Sequence, residues 1–288
     1  MARKIIRRKA NSTTRKKTKD SFFIRKLKIF GLIFGIILFI FSIAYHYREG
    51  LAYYLSYKTD KVLKEEQQAR KLAIIRNFQI LSKHKNKAIG IDVSEYQGNI
   101  NWQKVKLIDE VYEINFVLIR ATAGNDRVDD QFVKNWANAK SKKMIRAAYH
   151  YYRPNENSLE QADFFIKTVK LKKGDLPPVL DIEKLPKNQS LDSLKVGLKR
   201  WLLKVQNFYG VKPIIYSGDK YFTDFLEKQF SGYTFWIANY SAFDEKIDKS
   251  WQFWQFTENA NVEGIEGNVD LNIYNGTKNQ LKYLTIGN

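Results

Sequence analysis

The sequence predicts an α/β protein: an irregular (β/α) barrel with eight strands and about five helices, preceded by a transmembrane helix and a helical stalk. From residue 88 onward, short apolar runs alternate with stretches whose apolar residues recur at helical spacing. Such alternation is typical of a parallel sheet with crossover helices. Eight apolar runs share about 200 residues, which favours a closed barrel. Helical patterns are missing from the last third, so the final units are expected to be degenerate.

The N-terminal segment predicts a membrane-spanning helix. Residues 1–28 form a basic leader with twelve Lys or Arg and a single acid, Asp20. The next seventeen residues carry no charge, and the segment 29–46 is long enough to cross a hydrocarbon core of about 30 Å. Because positive charge stays on the cytoplasmic side, we expect a single-pass protein of the cell membrane. Its N-terminus is then cytoplasmic, and the rest of the chain lies outside.

A cleaved signal peptide is the alternative interpretation of the same segment. Ser42-Ile43-Ala44 would supply a small-x-small cleavage site, but the basic leader is long and the apolar run is at the upper length limit for a signal peptide. We therefore favour a retained anchor. The polar segment 47–87 is rich in helix formers and predicts a helical stalk, and residues 88–288 form the main domain.

Composition argues against several kinds of site and partner. Cysteine is absent, and the three histidines form no metal-ligand pattern, so we expect no metal and no cofactor. The net charge of +19 comes mainly from the first 87 residues, because residues 88–288 contain 27 Lys or Arg against 25 acids. A nearly neutral main domain argues against a nucleic-acid partner. Membrane topology and anionic lipid account for the leader.

The elements of the barrel follow from the apolar runs and the spacing between them. Each run is bounded by turn residues or by a helical pattern. The predicted strands are 88–93, 116–121, 144–152, 178–182, 213–216, 234–239, 253–257 and 269–274. The predicted helices are about 101–112, 129–142, 158–171, 190–209 and 219–229.

Four acids are expected to meet at one end of the barrel. Two prolines and an apolar run lead into Asp181 and Glu183, which point to the same side of a strand because side chains alternate. Their repulsion and a low-dielectric setting raise one pKa, as a general acid requires. Asp92 and Asp270 belong to the first and last strands, and barrel chemistry lies where the strands end.

Aromatic residues accompany these acids. Acids among aromatic faces are typical of glycoside cleavage, because carboxyls flank the scissile bond and rings stack on sugars. No phosphate loop or Ser-His-Asp pattern offers a rival chemistry. Each aromatic residue has core packing as its alternative role, and His150, on the opposite side of its strand, is predicted to be structural. The expected substrate-binding residues are Tyr96, Tyr149, Tyr151, Tyr216, Trp236 and Tyr240.

These residues belong to a recognisable series of motifs. The segment Gly90-Ile91-Asp92-Val93-Ser94-Glu95-Tyr96-Gln97-Gly98-Asn99-Ile100-Asn101-Trp102 resembles the opening motif of glycoside hydrolase family 25, the bacterial and phage-type lysozymes. The resemblance spans about residues 88–276 in the order of the family. It continues through Ile119-Arg120-Ala121-Thr122, Ala148-Tyr149-His150-Tyr151, Asp181-Ile182-Glu183, Ile215-Tyr216, Trp236-Ile237-Ala238, Trp254-Gln255-Phe256 and Asn268-Val269-Asp270-Leu271-Asn272.

The resemblance implies a bacterial enzyme that cuts the β-1,4 bond between N-acetylmuramic acid and N-acetylglucosamine in peptidoglycan glycan strands. Glu183 is then the expected general acid. Asp181 either orients the 2-acetamido group of the substrate or supports Glu183. Asp92 and Asp270 are expected to stabilise positive charge at the sugar or to position water, with a structural role as the alternative. The alternative function is a catalytically silent, membrane-anchored wall-binding protein on the same fold.

Overall fold

The structure is a computed structural model that describes residues 14–241 and 247–287. The chain divides into two compact units, Met1–Gln68 and Ala69–Asn288. Residues 1–13 of the predicted basic leader lie outside the described residues. The predicted divisions at residues 28, 46 and 87 stay predictions.

The first unit contains a long apolar helix. Helix α1 spans Thr14–His46, and helix α2 begins at Arg48 and ends at Lys83. Within α1, the segment Ile24–His46 has a mean hydropathy of 2.5 and exposed side chains. Its 23 residues extend about 35 Å at 1.5 Å per residue. The segment is therefore long and apolar enough to cross a membrane, a property that a signal sequence can share.

The described residues of the second unit form ten strands. Each of the eight predicted apolar runs coincides with a strand, and two additional strands of two residues pair with β3. The strands are β1 (Ile89–Val93), β2 (Leu107–Ile108), β3 (Tyr112–Ala123), β4 (Arg127–Val128), β5 (Ile145–Tyr151), β6 (Val179–Asp181), β7 (Ile214–Gly218), β8 (Thr234–Ala238), β9 (Phe253–Ala260) and β10 (Val269–Tyr274).

Eight of these strands close into the predicted barrel. Strands β3, β5, β6, β7, β8 and β9 pair in parallel in that order. Strand β1 closes the ring because it pairs in parallel with β3 and antiparallel with β10. Strand β10 is also antiparallel to β9, since the short connection between them contains no crossover helix. This reversed strand explains why the final part of the sequence lacks helical patterns.

Alternation along the strands separates two apolar clusters. Val117 and Ile119 of β3 belong to the larger cluster, which the helices cover, whereas Phe116 and Leu118 belong to the smaller cluster. The smaller cluster fills the barrel interior because its members share one face of seven barrel strands, β3 and β5 to β10. A Cβ atom at Gly90 would lie 2.4 Å from the Phe116 ring, so β1 requires glycine at this position.

Within residues 88–241 and 247–287, five α-helices accompany the barrel. Helix α5 shows how the sequence sets their ends: the Ser190 side chain accepts a hydrogen bond from Ser193 N at its start, and Gly210 ends it with a φ of 73°. A π-helical turn, Phe222–Leu226, extends α6. The helices are α3 (Phe132–Ser141), α4 (Ser158–Thr168), α5 (Leu191–Tyr209), α6 (Asp219–Tyr221) and α7 (Lys278–Tyr283).

The predicted helix at 101–112 is wrong. This segment forms a series of turns and strand β2, and Asp109 and Glu110 adopt positive φ angles at the turn into β3. Three buried apolar residues, Trp102, Val105 and Ile108, recur every third position and thus imitate a helical pattern. The physical reason is that turns also present side chains at this interval, so periodicity over a short window does not distinguish them from a helix.

The end of helix α2 belongs to the second unit. Ile80 and Leu81 are 2% and 0% exposed and join the larger apolar cluster of the barrel. The hydroxyls of Ser82 and Tyr112 are hydrogen-bonded at 2.6 Å. The compact unit therefore includes residues 69–87 together with the predicted main domain.

Candidate active site

A cleft of about 280 Å³ lies where the barrel strands end. It continues the barrel interior: Tyr149 follows Ala147 on one face of β5, and Asp181 follows Val179 on β6. All ten predicted site residues line it. They are Asp92, Tyr96, Tyr149, Tyr151, Asp181, Glu183, Tyr216, Trp236, Tyr240 and Asp270.

Strand β6 brings two carboxyls to the cleft. Asp181 is buried, and its Oδ1 atom has no hydrogen-bond partner among the described residues. Desolvation, followed by the charges of Glu183 and Asp92, raises the pKa of Asp181 well above its ordinary value. Desolvation also raises the pKa of Glu183, and the charge of Lys184 partly offsets this increase. Asp181 contributes little to it, because a protonated carboxyl exerts little repulsion. Glu183 itself is exposed at the mouth of the cleft.

Strands β1 and β10 bring a second pair of carboxyls together. Asp92 and Asp270 are direct partners in the antiparallel register. Burial raises the pKa of Asp92 to about 6, although hydrogen bonds from Asn272 and Gln255 lower it. Burial and the charge of Asp92 raise the pKa of Asp270 to about 9. At neutral pH the pair therefore shares one proton and carries a single negative charge.

Two amide side chains hold Asp92. Gln255 Nε2 and Asn272 Nδ2 donate hydrogen bonds to Asp92 Oδ2 at 2.8 and 2.7 Å. Gln255 Oε1 in turn accepts hydrogen bonds from the hydroxyls of Tyr216 and Tyr240, at 2.8 and 2.5 Å. This network fixes the amide orientation of Gln255, so that its NH₂ group faces the carboxylate.

Trp236 fixes the second amide. Its Nε1 atom donates a hydrogen bond of 2.7 Å to Asn272 Oδ1, which directs the Asn272 NH₂ group at Asp92. The Trp236 ring also packs against Tyr216, with ring centroids 4.2 Å apart. The aromatic residues thus orient the polar groups of the cleft as well as enclosing it.

The six aromatic residues divide into a floor and a rim. Tyr149, Tyr216 and Trp236 are at most 9% exposed and form the floor. Tyr96, which is 81% exposed, and Tyr240, which is 43% exposed, stand at the rim. The accessible ring faces that a sugar can contact therefore belong mainly to the rim, together with the half-buried Tyr151.

A buried ion-pair cluster supports Tyr96. The Arg120 guanidinium lies 4.6 Å from the centroid of the Tyr96 ring. Arg120 Nη2 contacts Glu95 at 2.7 Å, and Arg120 Nε contacts Asp129 at 2.8 Å. Ser94 caps the turn that carries Tyr96, since its hydroxyl accepts a hydrogen bond from Tyr96 N. These contacts hold the exposed ring in one place.

His150 has the structural position that the sequence predicts. It is 0% exposed, and its ring nitrogens contact Thr122 Oγ1 at 2.7 Å and Gln161 Oε1 at 3.1 Å. The ring stacks on Trp201, with centroids 5.4 Å apart. Burial lowers the pKa of His150 to about 3, so the imidazole is neutral at physiological pH.

Several polar residues of the site are absent from the predicted set. Asn272 stands two positions after Asp270 on β10, so strand alternation was a usable signal for it. Gln255 and Arg120 lie within motifs that the resemblance already includes. Glu258 lines the cleft beyond the predicted end of its strand, and no sequence signal indicates that β9 continues to Ala260.

Comparisons with known proteins show which family and which folds this chain resembles. The model of glycosyl hydrolases family 25 matches residues 91–265. Protein YegX of Escherichia coli strain K12 is 38% identical over 202 residues, which cover 69% of this chain and 73% of that protein. Lysozyme M1 of Streptomyces globisporus is 32% identical over 207 residues, which cover 67% of this chain and 69% of that protein.

Solved structures share the fold. The bacterial lysozyme from Streptomyces coelicolor superposes with a TM-score of 0.61 at 29% sequence identity. The superposition covers 69% of this chain and 97% of that structure. The shared fold therefore corresponds to the barrel unit.

Proposed function

The chain belongs to glycosyl hydrolases family 25, and from that premise we propose that it cleaves the β-1,4 bond between N-acetylmuramic acid and N-acetylglucosamine at the outer face of a membrane. Family membership and similarity to lysozymes make it a glycoside hydrolase with muramidase activity. The bond, the residue roles and the membrane attachment are the parts we propose.

The observation that carries the proposal is the convergence of four carboxyls in one cleft. Asp92, Asp181, Glu183 and Asp270 all line it, and desolvation raises the pKa of each. A raised pKa favours the protonated form that a general acid in glycoside cleavage requires.

Glu183 is the general acid in this proposal. It is the carboxyl that reaches the open mouth of the cleft, where a leaving oxygen can approach it. Its proton passes to the glycosidic oxygen as the bond from that oxygen to the sugar C1 breaks. The electron pair of the bond stays on the oxygen, which leaves as a hydroxyl. Positive charge then develops at C1 and the ring oxygen.

Asp181 orients the 2-acetamido group of the same sugar. The carboxyl lies beside Glu183 and has one oxygen without a hydrogen-bond partner among the described residues, so it can accept the acetamido N–H. The acetamido oxygen then bonds to C1. Water, deprotonated by Glu183, later displaces that oxygen and restores the acetamido group. Two displacements at C1 predict retention of the anomeric configuration.

Asp92 and Asp270 stabilise the developing positive charge. With one shared proton, the pair carries a single negative charge at neutral pH, and the two amide donors hold it in place. A charge held in a fixed position stabilises an oxocarbenium-like transition state more than freely reorienting water does. Because the pKa of Asp92 is about 6, activity is expected to fall as the pH drops below that value.

The anchor belongs to the proposal as well. A leader with a net charge of +11 precedes an apolar helix of sufficient length, and this order predicts a cytoplasmic N-terminus. The barrel would then face peptidoglycan from the outer side of the membrane. A tethered muramidase acts only on wall within its reach, whereas a secreted one diffuses.

The activity is tested with the full-length protein in detergent and purified peptidoglycan. We expect new reducing ends, whereas new amino groups would show cleavage of peptide or amide bonds and contradict the proposal. Glu183→Gln should keep peptidoglycan binding and lose about 10²–10⁴-fold in turnover, because proton donation contributes that much. Equal behaviour of Glu183→Gln and the parent would favour the catalytically silent wall-binding protein.

The topology is tested separately in cells. Full-length protein should stay with the membrane after salt and alkaline washing. Protease added to spheroplasts should leave only the leader and the apolar helix protected. A mature protein that begins near Tyr45 and accumulates in the medium would contradict the anchor and leave the enzymatic proposal intact.

A further inference from the structure

An arginine of helix α2 joins two backbone segments beside the cleft. Arg76 Nη1 donates a hydrogen bond of 2.6 Å to Phe256 O in β9. Arg76 Nη2 donates one of 2.7 Å to Ser241 O, in the loop after β8. Arg76 lies in the same compact unit as the barrel but before residue 91, where the family match begins.

The two carbonyls that Arg76 holds are next to two cleft residues. Ser241 follows Tyr240, and Phe256 follows Gln255. Inside the cleft the Tyr240 hydroxyl donates its 2.5 Å hydrogen bond to Gln255 Oε1. Arg76 therefore binds the backbone one residue after Tyr240 and one residue after Gln255, the two residues whose side chains are in contact.

The guanidinium is suited to set this spacing. Its N–H donors project from one rigid plane, so two carbonyls bound to it are held at a fixed separation. Asn239 N already donates a hydrogen bond of 3.0 Å to Gln255 O, and Arg76 adds a second constraint on the backbones that carry Tyr240 and Gln255. Gln255 Nε2 passes the constraint on through its 2.8 Å hydrogen bond to Asp92.

We propose that Arg76 is a positioning residue for the glycosidase reaction, because it holds Tyr240 and Gln255 in the arrangement that orients Asp92. The segment of α2 from residue 69 is then part of the working enzyme. This inference rests on the proposed role of Asp92 in stabilising the transition state. An interaction that acts in the transition state affects kcat more than KM.

The same helix offers a matched control. Arg70 Nη2 donates a hydrogen bond of 3.1 Å to the side chain of Asn261, at an exposed position away from the cleft lining. Both arginines lie on α2 and contact the barrel, but only Arg76 holds backbone on both sides of a cleft contact.

The experiment compares Arg76→Ala and Arg70→Ala in the full-length protein in detergent, with folded fractions measured by circular dichroism. We expect Arg76→Ala to lower kcat about tenfold, because small displacements at a reacting centre are costly, with KM within about twofold of the parent. Arg70→Ala should keep both constants near the parent values. Equal kcat in Arg76→Ala and Arg70→Ala would overturn the inference.

A double-mutant cycle with Tyr240→Phe tests whether Arg76 acts through the Tyr240 hydroxyl. If Arg76 acts through the Tyr240 hydroxyl, Arg76→Ala in the Tyr240→Phe background should cost about twofold or less, since the contact is already lost. A tenfold loss of kcat in both the parent and the Tyr240→Phe backgrounds would contradict action through the Tyr240 hydroxyl. Should Arg76→Ala not fold, Arg76→Lys replaces it, and a kcat equal to that of the parent would overturn the inference.

These results are distinguishable from failure of the proposed function. If the parent protein releases no reducing ends from peptidoglycan, the proposed function fails, and with it the inference that depends on it. If the parent is active and Arg76→Ala equals it, the inference alone fails.

Discussion

One aspartate before strand β6 and one at its end are buried equally but differ in their hydrogen-bond partners. Asp175, before the strand, and Asp181, at its end, are each 5% exposed. Asp175 accepts hydrogen bonds from Arg146 Nε at 2.7 Å, Arg146 Nη2 at 3.1 Å and Lys172 N at 2.8 Å. Asp181 Oδ1 has no partner among the described residues, and neighbouring acids help to raise its pKa.

The difference shows that burial alone does not decide what a carboxyl does. A fully paired buried acid holds the lower end of the barrel together, and breaking the pair leaves an uncompensated charge. A buried acid without partners costs stability but keeps its hydrogen-bonding capacity for a substrate. The residues before strand β6 thus serve stability, and the residues at its C-terminal end serve the reaction, as is usual for barrels of this class.

We expect the largest effect from breaking the ion pair between Asp175 and Arg146. Asp175→Asn removes the charge that compensates Arg146 and should lower the free energy of unfolding by about 3–5 kcal/mol. Chemical denaturation measures this loss. At temperatures where the variant is folded, its kcat should stay close to that of the parent. A stable variant with lost activity would contradict the division between the two ends.

The same substitution at Asp181 should give the reverse result. Asp181→Asn keeps the size of the side chain and removes a carboxyl that neighbouring charges disfavour, so stability should stay equal or rise. Turnover of peptidoglycan should fall about 10²-fold, because the acetamido group loses the carboxyl that orients it. Parent-like turnover combined with a lower melting temperature would show that Asp181 is structural.

A smaller effect concerns the pH dependence of stability. The pKa of Asp270 is about 9 in the folded protein and about 3.9 for an unfolded Asp. Between these values the folded state binds more protons, so the contribution of Asp270 to stability falls as the pH rises.

Asp270→Asn should remove this dependence. Its melting temperature relative to the parent should increase between about pH 5 and about pH 8. Thermal unfolding at the two pH values measures the change. A constant difference between variant and parent would contradict the raised pKa.

We expect the smallest effect from removing the aromatic ring that packs against Arg146. The Arg146 guanidinium lies 3.7 Å from the centroid of the Trp136 ring. Trp136→Leu keeps an apolar contact and loses the cation–π interaction, which should cost about 1 kcal/mol. The cost should nearly vanish in the Asp175→Asn background if the three groups act as a unit. Equal costs in both backgrounds would show that the ring acts independently.

Much of the fold was predictable from local pattern. The eight apolar runs coincide with the eight barrel strands because burial on both faces of a parallel strand requires a continuous apolar run. Most of the acids and aromatic residues meet because the ends of successive parallel strands lie at one edge. Asp270 joins them because the antiparallel strand β10 begins at this edge, beside Asp92. The segment 101–112 was mispredicted because Trp102, Val105 and Ile108 are buried from turns rather than from a helix.

The sequence by itself determined the strand set, the convergence of the carboxyls and the presence of an apolar helix near the N-terminus. Each of these depends on residues close together in the chain or on a general rule of barrel topology. Tertiary structure decided which carboxyls keep their protons and what holds them. A pKa depends on desolvation and on neighbouring groups in space, and the amide donors to Asp92 lie 163 and 180 residues away from it.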